Sequence, residues 1–130
     1  MTINFTKDEA LNYFYDSLCN GLIELGYLGI ELDFLSEDYK MAKQSLLNKG
    51  KTDTICYEDV LIEMISMGLP LHFIDHNEEG KKITITQTDV TTKMSKVPVH
   101  HLVEIIQERD DADTACAVLQ TILFGEIIYG

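Results

Sequence analysis

The sequence predicts an α+β fold: a helix-dominated single domain over residues 1–130 with one β-hairpin at about residues 71–87. Three observations predict it. Most of the chain repeats apolar residues at three- and four-residue spacing, as amphipathic helices do. The stretches Leu71–Asp75 and Lys82–Gln87 are instead rich in β-branched and aromatic residues and flank a polar turn. The length of 130 residues suits one domain, and 45% hydrophobic residues are enough for a core.

Thr6 followed by Glu9 forms a capping-box pattern, in which the two side chains satisfy orphan backbone N–H groups. Leu11, Phe14, Tyr15, Leu18, Leu22 and Leu25 then mark one helical face, with Gly26 as the expected C-cap. Phe14 and Tyr15 fall on the core side, and Tyr13 points away and is expected at the surface. Between Tyr27 and Leu35, alternation of Ile30, Leu32 and Phe34 with Glu31 and Asp33 predicts a short extended piece.

Ser36 is the expected cap of a second helix over Glu37–Leu47. A polar loop, Lys51–Thr54, leads to a third helix whose apolar side carries Val60, Leu61, Met64 and Ile65. Gly68 and Pro70 end it, since glycine accepts the left-handed conformation and proline cannot continue a helix. His76–Lys81 has the chemistry of a hairpin turn, with Glu78 and Glu79 at a solvated tip. Thr88 and Asp89 are expected to cap a short helix to about Lys96, which Val97-Pro98 breaks. Val99, Leu102, Val103 and Ile106 define a further amphipathic helix. Asp110, Asp111 and Asp113 are expected at the start of the last helix, Thr114–Phe124, where carboxylates suit the helix dipole. That helix is apolar nearly all round, which places it at the centre of a core or in an interface.

Three helices followed by a hairpin is the element order of a winged helix-turn-helix. The charge contradicts DNA binding. The net charge is -12, and the third helix carries Glu58, Asp59 and Glu63 without a Lys or Arg. Proteins hold DNA by neutralising its phosphates with cations, so no direct nucleic-acid binding is expected. The same charge disfavours anionic membrane surfaces and favours basic protein partners.

Cys19, Cys56 and Cys116 are odd in number and scattered, which argues against a disulfide framework or a zinc site. They read as reduced, mostly buried thiols of a cytoplasmic protein. The N-terminus has neither the basic nor the apolar region of a signal peptide. No apolar run reaches the ~18 residues that cross a bilayer.

Catalytic and cofactor motifs are missing. No serine sits in a nucleophile elbow, and no glycine-rich phosphate loop occurs. Cys56 lies near a helix start, a setting in which reactive thiols occur. His72, Asp75, His76 and His101 have the side-chain types of zinc or iron ligands, with Glu104 one turn beyond His101, but their spacing matches no ligand motif. Asp110, Asp111 and Asp113 lack the pattern of a calcium loop.

The resulting expectation is a non-enzymatic, acidic protein-interaction domain: an adaptor, regulator or inhibitor. It is expected to self-associate as a homodimer through Ile122, Phe124, Ile127, Ile128 and Tyr129, because exposed apolar patches of that size are rare on monomers. One alternative is a nucleic-acid mimic that blocks a DNA- or RNA-binding protein, as phage antagonists do. Another is a metal-dependent enzyme using the His/Asp set. A mimic needs its carboxylates in a surface stripe, whereas an adaptor needs an apolar patch.

Overall fold

A computed structural model describes residues 4–51, 54–109 and 111–130. Thr52, Asp53 and Asp110 of the expected loop and acidic cap lie outside the described residues. Helix α1 (Lys7–Tyr27) is followed by strand β1 (Ile30–Asp33), helices α2 (Ser36–Asn48) and α3 (Tyr57–Ser66), and strands β2 (Leu71–Asp75) and β3 (Lys81–Ile85). Helices α4 (Gln87–Lys93), α5 (Val99–Ile106) and α6 (Ala112–Phe124) complete the chain. The fold is α+β and helix-dominated, and the element order through β3 is that of a winged helix. None of the described helices is long and apolar enough to cross a membrane.

The expected extended piece before α2 is a true strand, so the hairpin belongs to a three-stranded antiparallel sheet of order β1-β2-β3. Strand parity explains the pairing. Ile30 and Leu32 sit opposite Asp75 and Phe73, on the face that packs against the helices, while Glu31 and Asp33 take the outer face. Leu71, Phe73 and Asp75 are buried on the same inner face of β2.

Helix α6 is the centre of the core. Every residue from Thr114 to Leu123 is buried, and α6 packs more extensively on α1 than any other two elements pack together. Fully burying its Val118, Leu119, Ile122 and Leu123 is worth roughly 6–12 kcal/mol, comparable with the net stability of a whole domain. Gly21 permits the approach: a Cβ there would lie 2.9 Å from the Ala115 backbone carbon.

Several helix ends differ from expectation. Helix α1 runs through Gly26 to Tyr27, and the left-handed residue is Gly29, at φ 85°. There the Asn77 side chain crosses from the hairpin turn, donates to the Leu28 carbonyl at 2.6 Å and would stand only 3.0 Å from a Cβ. Ser36 is the first residue of α2 rather than its cap, because Leu35 takes the extended cap conformation. Thr86, not Thr88, caps α4: the Asp89 carboxylate accepts from the Thr86 N–H at 2.9 Å, three residues back. This box stops β3 at Ile85 and brings Gln87 into the helix. Asp111 caps α6 as expected, accepting from the Thr114 N–H at 2.9 Å.

Two surface expectations also change. Tyr13 is half-buried, packed edge-on to Phe5. Of the cysteines only Cys116 is buried, since Cys19 and Cys56 fall on the wet sides of their elements.

Candidate binding groove beside the edge strand

Among the described residues, strand β1 lies at the sheet edge, paired on one side only. The His76 N–H donates to the Gly29 carbonyl at 2.9 Å, one bond of the hydrogen-bonded position that Gly29 and His76 occupy, the Gly29 N–H going to the Gly26 carbonyl. Such positions alternate along an antiparallel ladder. Glu31 and Asp33 therefore bond inward to β2, and Ile30 and Leu32 turn their N–H and C=O groups to the open edge. No described residue covers those four groups with a hydrogen bond.

Beside this edge lies a hollow of about 360 Å³, whose apolar wall is formed by Leu22 and Gly26 of α1, Ile30 and Leu32 of β1, and Tyr57 of α3. Gly26 forms open floor, with no atom within 4 Å of where a Cβ would stand. Tyr57 is 42% exposed although its ring contacts Phe34 and Tyr39, whose own rings stack at 5.1 Å. Burial raises the Tyr57 phenol pKa, and nearby Tyr39 and Glu58 add to the effect. The rim is acidic: the Glu31 side chain is 64% exposed and reaches His76 at 3.3 Å, and Asp33 is also exposed.

Two of the three acids of α3 serve the fold. Glu63 is buried, accepting from the Ser45 hydroxyl at 2.6 Å and Lys49 Nζ at 2.7 Å, which ties α2 to α3. Asp59 accepts from the Tyr15 hydroxyl at 2.7 Å, Lys51 Nζ at 2.9 Å and the Cys56 N–H at 3.0 Å. Burial opposes both charges, but these donors outweigh it and hold both carboxyls below their ordinary pKa.

The chain matches no family model, no curated protein and no solved structure.

The histidines named from the sequence do not converge. His72 and Asp75 are three residues apart on one strand and so face opposite sides of the sheet. His72 meets the Thr84 hydroxyl at 3.0 Å, His76 meets Glu31, and His101 meets Glu104 at 3.1 Å on α5. Asp75 is buried, accepting from the Asn77 N–H and the Tyr129 hydroxyl. Among the described residues, no group of three or more His, Cys, Asp or Glu side chains is placed to hold a metal ion.

The C-terminal residues divide. Ile122 is fully buried within the chain, Phe124 and Tyr129 meet edge-on and half-buried, and Ile127 and Ile128 are exposed. The tail does not add a strand to the hairpin. Instead Gln120 Oε1 accepts from the Ile128 and Tyr129 N–H groups at 3.0 and 2.8 Å, and its Nε2 donates to the Tyr129 carbonyl at 2.9 Å. A buried amide thus replaces a strand partner. Sequence reasoning missed Gln120; the one available signal was a lone large polar side chain on an otherwise apolar helix.

Proposed function

We propose that this chain is a non-enzymatic protein-interaction domain that works as an adaptor, regulator or inhibitor. The observation that carries the reading is the apolar groove lying against an uncovered strand edge. An open edge is a template for another chain, and an adjoining apolar hollow supplies the burial that makes such contact favourable. The internal use of Asp59, Glu63 and Asp75 favours this reading over nucleic-acid mimicry, which needs its carboxylates at the surface.

The test is affinity capture of cross-linked partners with the wild-type chain and a Tyr57→Asp variant. A stoichiometric protein partner held by the wild type and lost by the variant is the expected result. Equal capture by both, or capture of nothing but nucleic-acid-binding proteins through salt-sensitive contacts, overturns the reading.

Self-association through the tail is part of the proposal, favoured by the neighbouring exposure of Ile127, Ile128 and Tyr27, the last 81% exposed. Ile127 and Tyr27 line a second hollow of about 380 Å³ with Cys116, Ala117 and Gln120. Light scattering on the full chain and on an Ile127→Ser/Ile128→Ser variant tests it: a dimer that becomes monomeric supports it, and a monomeric wild type at high concentration refutes it.

A further inference from the structure

The groove and the charge beside it define what could occupy them. We infer that β1 accepts an extended segment of another protein as a fourth strand, one that alternates basic and apolar side chains. This inference rests on the interaction-domain reading and names the partner's chemistry.

The backbone comes first. Ile30 and Leu32 offer two N–H and two C=O groups outward at the period of a strand, so an added segment gains main-chain hydrogen bonds without any change in β1. Side-chain parity then dictates composition. A residue lying opposite Leu32 shares its inner face and enters the hollow between Leu22, Gly26 and Tyr57. Residues to either side of it lie opposite Glu31 and Asp33 on the outer face, at the close cross-strand distance of about 5 Å where charge pairing matters. The two carboxylates are exposed and two residues apart; Glu31 meets His76 on the β2 side, and among the described residues no Lys or Arg pairs with either, so they call for two cations at the same spacing. The preferred occupant reads basic–apolar–basic.

The same charges argue against a second copy of this chain. Pairing β1 with its own two-fold mate about Leu32 sets Glu31 opposite the mate's Asp33 and Asp33 opposite its Glu31, and like charges directly opposite destabilise a strand pair. The net charge of -12 adds to that repulsion.

The experiment uses the full chain and an acetylated, amidated hexapeptide of alternating lysine and leucine or valine. Three probes accompany it: the same peptide with glutamate for lysine, the lysine peptide N-methylated at alternate residues, and the lysine peptide at raised salt. Backbone amide shifts at Ile30 and Leu32 report the site. Binding of the lysine peptide is expected with shifts centred on β1, weakened at least tenfold by N-methylation along the pairing edge and at least tenfold by glutamate. Gly26→Leu, which fills the hollow on a helix that accepts leucine, and Glu31→Lys/Asp33→Lys each weaken it by a similar factor. Thermal melts check that both variants fold, and the amide shifts of the wild type stand as evidence if either does not. No binding at millimolar peptide, equal binding of the N-methylated peptide, or unchanged binding by a folded Gly26→Leu chain overturns the inference. Concentration-dependent shifts at Ile30 and Leu32 without peptide place a second copy at the edge and also overturn it. A cross-linked partner that depends on Tyr57 but ignores Gly26→Leu removes strand addition and leaves the interaction-domain reading standing.

Discussion

The Tyr129 hydroxyl donates a 2.7 Å hydrogen bond to Asp75 Oδ2, so the last residue but one is tied to the buried end of β2. Asp75 Oδ1 already accepts from the Asn77 N–H at 2.9 Å and from Asn77 Nδ2 at 3.1 Å. One carboxylate thereby joins the C-terminal tail, the hairpin turn and, through Asn77, the end of α1. Burial opposes its charge, yet Tyr129, Asn77 and His76 together hold its pKa below the ordinary value.

Removing the phenol oxygen leaves a buried carboxylate oxygen without its donor, a costly arrangement. Tyr129→Phe is expected to lower the melting temperature by roughly 5 °C and to speed amide exchange at Ile128. Asp75 raises the phenol pKa to about 12, with burial and Glu78 contributing. The sign follows from linkage: a folded pKa above the unfolded one gives stability that is complete below about pH 10 and is lost as pH rises through the folded value. Thermal melts of wild type and Tyr129→Phe between pH 8 and 12 should therefore converge at the alkaline end.

Gly21 and Gly26 are about 1.4 turns apart on α1 and should respond oppositely to alanine. At Gly21 the new methyl meets the Ala115 backbone at 2.9 Å. Overpacking costs about 1–3 kcal/mol and outweighs a propensity gain of up to ~1 kcal/mol. At Gly26 no atom lies within 4 Å, so Gly26→Ala should be neutral or stabilising by up to ~1 kcal/mol. Urea unfolding midpoints of the two variants, compared with wild type, decide it.

Asp59, Glu63 and Asp75 all have depressed pKa values in the folded chain. Folded carboxyls below their unfolded values bind fewer protons than the unfolded chain. They contribute stability above about pH 4 that disappears as pH falls through the depressed values. The urea midpoint should fall steeply below about pH 4. Glu63→Gln should be less stable than wild type at pH 7, by about 1–3 kcal/mol for the lost charge-assisted bonds, and nearly equal to it at pH 2. A constant difference across that range would show that Glu63 acts by packing alone.

The winged-helix order invites a DNA-binding assay, and a negative outcome is expected. Helix α3 presents no cation, two of its three acids are held inside the fold, and the net charge is -12. Mobility shift with a mixed duplex at about 100 mM salt should show no complex at micromolar protein. A salt-sensitive complex at that concentration would place DNA among the partners.

The amino-acid sequence by itself determined the helices and strands, because those depend on periodicity and local caps. The Thr6–Glu9 box, the Asp111 cap and the Gly68 stop all read correctly, each being a contact between residues a few positions apart. Boundaries slipped where two local patterns competed, as when Thr86 rather than Thr88 took the cap of α4. The tertiary structure alone decided what long-range contact decides. β1 became an edge strand because β2 offered it a partner 45 residues away at Ile30 and Asp75. Asp59 and Glu63 of α3 turned inward because Lys51, Tyr15 and Lys49 happened to face them. The tail found Gln120 and Asp75 rather than the hairpin edge, since a buried amide and a carboxylate satisfy its backbone and phenol. The candidate groove exists only at that level: Leu22, Gly26, Leu32 and Tyr57 come from three elements, and nothing in their spacing announces that they meet.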